Sequence, residues 1–434
     1  MTLFRNQAVC SPLTLASRCG LEVLERGGNA VDAAIATNLV LAVAYPHMCG
    51  VGGDLLALVW TGDGLLGLNS SGALPQAAEL DSDSVPTRGI GSVTVPGAVA
   101  GWTALAERHG TLTLDQLAVP AISLARDGVD KAPSLQRMIE SHAADPFLDE
   151  EASSIFLDPG PLVQPDLAVT LAELDGFYEG PVADRFPAPF TPADLRAHRA
   201  QWVEPMHYGL GGVEVCEMPP NSRGHLVLEA LARLEPLDGL TPGDAEWHAR
   251  LFRAITSVDV ASDTIYLCCV DRTGMAVSLN QSLFAGFGSG VMVPGTGVLL
   301  HNRGSFHTTG SYRGGAKPVH TLSPAMALQD GKPALVFGTM GGTAQIQIHM
   351  QLLARILVAG ESVESALAGP RWIYKDGVLA VEPGLPDLSG VLPGVAMTPL
   401  TTPDAAGHAH AIRIQREALE AGVDLRSDGE PVGS

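Results

Sequence analysis

The sequence predicts a layered α/β sandwich, in which helices cover both faces of a β-sheet. The segment TIYLCCV, residues 264–270, has the β-branched and aromatic residues of a strand and is apolar on both faces. A half-solvated strand would alternate with polar residues, so this sheet is expected to be covered on both sides. Helical segments toward both ends of the chain can supply that cover. The 434 residues are 46% hydrophobic, which is enough for a large core.

The charge balance excludes several classes of partner. Lys and Arg number 26 against 47 Asp and Glu, giving a net charge of −21. Such a field repels phosphate backbones, and no polybasic run favours a membrane surface, so we expect neither nucleic-acid nor membrane binding. The N-terminus lacks the apolar stretch of a signal peptide, and the six cysteines contain no CxxC pair. These features predict reduced cysteines and a cytoplasmic location.

The chain is expected to begin with two helices. Ser11 is suited to the N-cap of the first, with Pro12 at the first helical position, and Gly27–Gly28 predicts its end. Asn29 can cap the second helix, because Asp32 stands three residues later as in a capping box. That helix, AVDAAIATNLVLAVA, is apolar on every side and is therefore expected to be buried on every side.

The following elements alternate between strands and helices. A glycine-rich loop, CGVGGD, precedes two short strands, LLALVW and LLGLN, joined by a TGDG turn. VTVPGAVAGW predicts a strand, a Pro-Gly turn and a helix, and residues 111–195 are mostly helical in pattern. Strands are predicted over 202–218, followed by the PPNSRG loop and the helix HLVLEALARLE. No internal repeat or linker divides the chain.

A predicted hairpin places hydroxyl groups at one end of the sheet. TIYLCCV and MAVSLNQSL flank a D-R-T-G turn, so facing residues should have numbers that sum to about 545. Thr264 would then lie opposite Gln281, with Ser282 beside it. Further on, Gly341–Gly342 follows the strand ALVFG, and consecutive glycine N–H groups can form an oxyanion hole. Each of these residues is also compatible with an ordinary strand or turn.

Other catalytic motifs are absent from the sequence. No GxGxxG stands in a nucleotide-binding context, and no GxxxxGK[ST], HExxH or GxSxG occurs. His408 and His410, in GHAHAI, are predicted to lie on a strand surface rather than to bind a metal. The residues therefore imply neither a metal site nor an organic cofactor.

Many segments together resemble the gamma-glutamyltranspeptidase family of N-terminal-nucleophile hydrolases. They occur in the family's order along nearly the whole chain: GLEVLERGGNAVDAAIA, YPHMCGVGGD, VPGAVAGW, LARDGV, MPPNSRG, SDTIYLCCVDRTGMAVSLNQSLFAGFGSGVMVPGTGVLLHNRG, LSPAM, GTMGG and GVDLRSDG. Phe284, LHNRG and HTLSP resemble the subgroup of gamma-glutamyltransferase-like and oxamate amidohydrolase-like hydrolases.

The resemblance implies a four-layer αββα sandwich and an autocatalytic cut between Asp263 and Thr264. Residues 1–263 and 264–434 would then be two fragments of one folded unit, and a dimer of such pairs is left open. The freed α-amine of Thr264 would act as the base for its own hydroxyl. Ser282 would hydrogen-bond the nucleophile, and Gly341 and Gly342 would donate to the oxyanion.

The sequence departs from the family pattern where a glutamyl group would bind. The stretch 69–80, NSSGALPQAAEL, lacks the Arg that holds the substrate α-carboxylate, and Phe284 and Phe306 replace an Asn and an acidic residue. His320 and Thr321 stand where two serines help to bind substrate. Acyl specificity is therefore expected to differ from glutamyl.

The best remaining candidate for binding a substrate carboxylate is Arg303, with Arg313 and Lys317 behind it. Each of these three cations could instead be an ordinary surface charge.

Three functions are compatible with these residues. The first is hydrolysis of an amide, gamma-glutamyl or another small acyl amide such as oxamate, through an acyl-enzyme with water or an amine as acceptor. The second uses the same nucleophile on a C–C bond next to a keto group, as in 4-alkylproline-type secondary metabolism. The third is an inactive homologue that serves as a binding protein.

Overall fold

The computed structural model describes residues 1–80, 83–144, 146–258 and 265–434. A short π-helical turn, Ala354–Val358, directly follows the helix Gln345–Leu353. The helices are α1 Thr14–Glu25, α2 Ala30–Ala44, α3 Ala98–His109, α4 Leu114–Asp127, α5 Pro133–His142, α6 Glu150–Phe156, α7 Pro165–Ala172, α8 Pro181–Asp184, α9 Pro192–Ala197, α10 His225–Ala232, α11 Ala245–Thr256, α12 Gln345–Leu353 and α13 Val363–Ala368.

The strands are mostly short, as the many Gly and Pro residues require. They are β1 Thr2–Phe4, β2 Ala8–Cys10, β3 Asp54–Trp60, β4 Leu65–Ser70, β5 Gln201–Val203, β6 Met206–Leu210, β7 Val213–Glu217, β8 Ile265–Val270, β9 Ala276–Ser282, β10 Met292–Val293, β11 Val298–Leu299, β12 Ala325–Gln329, β13 Lys332–Met340, β14 Trp372–Lys375, β15 Val378–Val381, β16 Ala396–Pro399, β17 His408–Ile414, β18 Leu419–Val423 and β19 Val432–Gly433.

Two large antiparallel sheets stack face to face. Among the described residues, sheet A has the order β1-β18-β17-β13-β12-β7-β6 and sheet B has the order β19-β2-β8-β9-β3-β4-β5. A core of buried apolar residues lies between them, with Tyr266 and Cys268 of sheet B facing Met326 and Ile412 of sheet A. Helices α1–α4 cover the outer face of sheet B, and α10–α12 cover the outer face of sheet A. The predicted αββα arrangement is confirmed.

The first two helices follow the prediction with one correction. Helix α1 begins at Thr14 with Leu13 as its N-cap, so the predicted start at Ser11–Pro12 is wrong by two to three residues. Ser11 instead hydrogen-bonds the side chain of Ser17 inside the fold. The capping box of α2 is present, with Asn29 and Asp32 as predicted, and every residue of α2 is buried. Burial on all sides explains its lack of a polar face.

Strand β8 of the β8–β9 hairpin is buried on both faces as predicted, but the pairing register differs from the prediction by one residue. Paired residue numbers sum to 546, so Gln281 pairs with Ile265 rather than with Thr264. The difference arises in the turn, where Asp271 accepts hydrogen bonds from the backbone of Thr273 and Met275 and spans a five-residue loop. Both faces of β8 are buried, as predicted.

The prediction for His408 and His410 is wrong in one respect. They lie on a strand, β17, but both side chains are buried. β17 is an inner strand of sheet A, and the face that carries His410 packs against sheet B, where its ring stacks on Tyr266 with centroids 6.1 Å apart. The six cysteines are free and buried. Within the described ranges, no helix is long and apolar enough to cross a bilayer.

Candidate functional site

The candidate site lies on the inner face of sheet B, where three strands begin or end together. Asp54, the first residue of β3, pairs with Ser282, the last residue of β9, and Gln281 pairs with Ile265, the first residue of β8. Asp54 and Ser282 lie on the same face, because directly paired residues of antiparallel strands project to one side. Asp263 and Thr264, the predicted processing site and nucleophile, lie outside the described residues.

Asn280 connects the two sheets next to Ser282. Its side-chain amide donates to the carbonyl of Ile265 (2.8 Å) and to the carbonyl of Thr339 (3.3 Å). Because side chains alternate along a strand, Asn280 and Ser282 share the inner face of β9. The start of β8 is thereby held against the end of β13, two residues before Gly341.

Ser282 is followed by a turn in an uncommon conformation. Its Oγ accepts a hydrogen bond from the backbone N–H of Phe284 (2.7 Å), and Phe284 has a φ of +77°. A bulky side chain rarely adopts this left-handed region, so the surrounding contacts must hold it there. The Phe284 ring packs edge-on against Phe306, with centroids 5.3 Å apart, and against the guanidinium of Arg303 at 4.3 Å.

Asp54 is the centre of a buried group of charges. Its Oδ2 accepts from His320 Nε2 (2.9 Å) and lies 3.5 Å from His301 Nδ1, and its Oδ1 accepts from the Gly72 N–H (3.2 Å). Burial opposes ionisation of Asp54, but the hydrogen bond that His320 donates and the positive charge of Arg303 outweigh it and lower the pKa of the carboxyl. Asp54 is therefore an anion at neutral pH.

The two histidines beside Asp54 are neutral. Burial, with a further contribution from Arg303, lowers the pKa of His320 to about 3. Burial likewise lowers the pKa of His301. His320 Nδ1 accepts from the Leu322 N–H, so the proton sits on Nε2 and points at Asp54.

Arg303 is buried and is oriented by Thr321. Its Nη1 donates to Thr321 Oγ1 (2.9 Å). Thr321 directly follows His320, so Asp54, His320, Thr321 and Arg303 form one continuous polar wall. The structure thus brings together the four predicted substrate-binding residues, Arg303, Phe284, His320 and Thr321. Arg313, in contrast, is exposed.

The Gly341–Gly342 loop has a backbone that only glycine adopts readily. The φ angles are +154° at Gly341 and +57° at Gly342. A Cβ on Gly341 would lie 2.7 Å from Ile348 Cδ1, so the loop is also tightly packed. The neighbouring turn at Gly407 packs on Gly341 and is held by Arg371, whose Nη1 donates to the carbonyls of Ala406 (3.1 Å) and Gly407 (3.0 Å).

The glycine-rich loop before β3 packs closely against the backbone of neighbouring segments. A Cβ on Gly53 would lie 2.4 Å from the Ser282 carbonyl oxygen, and one on Gly52 would lie 2.1 Å from the Leu299 carbonyl oxygen. Gln281 holds the same loop by bonding both the N–H (3.1 Å) and the carbonyl (2.7 Å) of Gly50. These glycines therefore let the loop approach β9, and they support the end of the strand that carries Ser282.

Sequence reasoning missed Asp54 and Asn280. Two features of the sequence could have indicated them. An acidic residue begins the apolar strand DLLALVW, and an amide stands two residues before Ser282 in AVSLNQS. Both residues are fully buried, and a buried polar side chain needs a partner that the sequence alone does not name. Within the described residues, no group of three or more His, Cys, Asp or Glu side chains could hold a metal ion.

Comparisons with known proteins agree on one family. A family model described as gamma-glutamyltranspeptidase matches residues 16–258 and 242–434. The glutathione hydrolase-like YwrD proenzyme of Bacillus subtilis is 32% identical, over 99% of this chain and 98% of that protein. The oxamate amidohydrolase proenzyme of Klebsiella pneumoniae is 30% identical, over 84% of each. A crystal structure of cephalosporin acylase from Bacillus halodurans superposes with a TM-score of 0.93 at 29% identity, over 100% of this chain and 96% of that one.

Proposed function

Because the chain belongs to the gamma-glutamyltranspeptidase family of enzymes, we propose that it cuts itself between Asp263 and Thr264 and then hydrolyses a small acyl amide with Thr264 as nucleophile. The observation that carries the proposal is the convergence of Ser282, Asn280 and Asp54 at the start of β8, the strand that Thr264 directly precedes in the sequence. Relatives similar in sequence are named as proenzymes, acylases and hydrolases, which supports self-processing and amide cleavage.

The proposed mechanism begins with the new N-terminus. The freed α-amine of Thr264 takes the proton of its own hydroxyl, whose Oγ attacks the substrate carbonyl carbon. Tyr266 and Ser282 project from the inner face of sheet B, and the proposal requires this hydroxyl to reach that same face. The leaving amine departs with the proton, and water then attacks the acyl-enzyme to release the acid and regenerate Thr264.

The N–H groups of Gly341 and Gly342 would stabilise the oxyanion in both steps. Their backbone is rigid, because the left-handed angles and the Arg371-held turn at Gly407 restrict it. Asn280 supports this assignment, since it bonds the carbonyls of Ile265 and Thr339 and so holds the start of β8 near the glycine loop. No step in this scheme needs a group from outside the chain except water.

The acyl group is proposed to be smaller than, or different from, glutamyl. Phe284 and Phe306 form an aromatic wall beside Ser282 that offers an ammonium group no carboxylate, and the neighbouring Asp54 is already engaged by His320. Arg303, oriented by Thr321, supplies a cation that suits a carboxylate on the acyl side. An oxamate-like acyl group, which carries its carboxylate directly on the reacting carbonyl, satisfies both features.

Processing can be tested on the purified full chain. Wild-type protein should run as two fragments on a denaturing gel, and N-terminal sequencing should find a new start at Thr264. Thr264→Ala should stay a single chain without activity, while the exposed control Thr401→Ala should behave as wild type. A wild-type chain that stays intact through long incubation would instead favour the binding-protein reading and overturn the proposal.

Substrate class can be tested with the processed enzyme. Oxamate, gamma-glutamyl-p-nitroanilide and small keto-acid conjugates would be compared for release of product. We expect oxamate or a related short amide to be turned over at least tenfold faster than the glutamyl compound. Faster turnover of the glutamyl compound would show that another cation replaces the Arg missing from residues 69–80.

A further inference from the structure

A cleft of about 550 Å³ opens between residues 73–77, residues 191–201 around α9, and residues 315–317. We propose that this cleft binds an organic carboxylate with an apolar body. The volume is within the range of small-molecule sites. Much of its wall is made of small apolar side chains that an uncharged part of a ligand can cover: Ala73, Leu74, Ala77, Val95, Ala193 and Ala197.

Two cations, Arg199 and Lys317, line the cleft, and each has N–H donors that make no hydrogen bond within the described residues. Lys317 makes no hydrogen bond or ion pair with any residue that the structure describes. Arg199 uses Nη1 to donate to the carbonyls of Arg196 and His198, both at 2.6 Å, and this holds the guanidinium in place. Its Nε and Nη2 make no hydrogen bond within the described chain. A held guanidinium beside a second cation is suited to a carboxylate.

The other titratable groups of the cleft leave its lining with a net positive charge. Asp194 accepts hydrogen bonds from the backbone of Gln76 (2.8 Å) and Thr191 (2.8 Å) and from the Thr191 hydroxyl (2.6 Å), so its carboxylate is already satisfied. Burial lowers the pKa of His198 to about 4, so this ring is neutral at pH 7. In a chain of net charge −21, a lining with two cations and one anion is a locally positive region, which favours an anionic ligand.

The backbone on the Lys317 side is preorganised. The N–H of Leu74 donates to the carbonyl of Ala316 (2.9 Å), and the N–H of Gly315 donates to the carbonyl of Leu74 (3.1 Å). On the other side of Lys317, the carbonyl of Pro318 accepts from the side chain of Asn221 (2.7 Å). Lys317 therefore projects from a backbone that is held on both sides, which reduces the ordering that binding would require.

The lining of the cleft does not include Ser282, Phe284 or Arg303, but the cleft lies close in sequence and charge to the group around Asp54. Lys317 precedes His320 by three residues, and the charge of Asp54 acts on the Lys317 ammonium. The inference concerns binding alone and does not depend on acyl transfer at Thr264. A failure of self-processing and a failure of carboxylate binding are therefore separate results.

The test compares 4-phenylbutyrate with its neutral analogue 4-phenylbutyramide on the wild-type protein, by isothermal titration calorimetry at low and moderate salt. The acid is expected to bind at least tenfold more tightly than the amide, and the preference should shrink as salt is raised. Lys317→Gln and Arg199→Gln should each reduce the preference to about threefold or less, whereas Lys317→Arg should retain it.

Two exposed cations away from the cleft provide matched controls, Lys375→Gln and Arg416→Gln. Both should preserve the preference for the acid, and circular dichroism should show that all variants are folded. Equal binding of acid and amide, no binding of either, or a preference that survives both cleft variants would each overturn the inference.

Discussion

Four buried histidines predict that the protein loses stability steeply in mild acid. Burial is the main cause in each, and it lowers the pKa of His198 and His248 to about 4 and that of His320 and His410 to about 3. An unfolded chain binds these protons near pH 6.5, which is the ordinary histidine value. Below pH 6.5 the unfolded state therefore binds protons that the folded state does not. The contribution of these histidines to the free energy of unfolding is complete above pH 6.5 and decreases below it.

The magnitude follows from the separation of these pKa values. Between pH 7 and pH 5 each histidine contributes about 1.9 kcal/mol of lost stability, so the four together remove about 7.5 kcal/mol. His349 is left out, because burial raises the pKa of its partner Glu217 and the proton on that carboxyl offsets the one that the imidazole lacks. A loss of this size is comparable with the whole stability of an ordinary domain, about 5–15 kcal/mol.

The assay is unfolding by urea or heat at pH 7, 6 and 5. His248 lies outside the candidate site, where its ring bonds the carbonyl of Pro242 and the indole N–H of Trp372. His248→Gln should reduce the pH dependence between pH 7 and 5 by about one quarter, whereas the exposed control His207→Gln should leave it unchanged. A free energy of unfolding that is flat from pH 7 to pH 5 would refute the reasoning.

Three further predictions concern the surroundings of the candidate site. Asn280→Ala leaves two buried carbonyls without this donor. It should lower the free energy of unfolding by about 2 kcal/mol, measured by urea titration, and slow self-processing, measured by time courses on denaturing gels. Arg371→Lys loses the second guanidinium nitrogen, which bonds Leu367 and Asp424 while Nη1 bonds the turn at Gly407. It should lower kcat about tenfold with a smaller change in KM, and equal changes in both would argue against positioning of the glycine loop. Gly53→Ala drives a methyl group into the Ser282 backbone and should cost about 1–3 kcal/mol of stability by thermal unfolding, with wild-type stability as the contradicting result.

The layered fold could be predicted from local pattern because its central hairpin is unusually informative. TIYLCCV is apolar on both faces, and only a strand covered on both sides can bury it. The predicted pairing of β8 with β9 differs from the observed one by one residue. The conformation of the loop from Asp271 to Met275 depends on side-chain hydrogen bonds that residue types alone do not specify. The αββα order of layers came from the family resemblance rather than from the pattern.

The polar centre of the site could not be predicted in the same way. Asp54 and His320 are 266 positions apart in the chain, and nothing local to either indicates that they are 2.9 Å apart in space. His408 and His410 were misjudged for the related reason that an alternating strand pattern does not reveal whether a second sheet covers the polar positions. Long-range polar pairing of this kind depends on tertiary packing.

The interleaving of strands in both sheets has a consequence for the proposed cut. β2, from the first 263 residues, lies between β19 and β8, which both come from the later part of the chain, and β1 pairs with β18 at the rim of the other sheet. Two fragments whose strands alternate within one sheet are joined by backbone hydrogen bonds, so they cannot dissociate on dilution unless the sheets unfold. We therefore expect the nicked protein to migrate as one species on a native gel and, because its unfolding would release two fragments, to show a melting temperature that rises with its concentration.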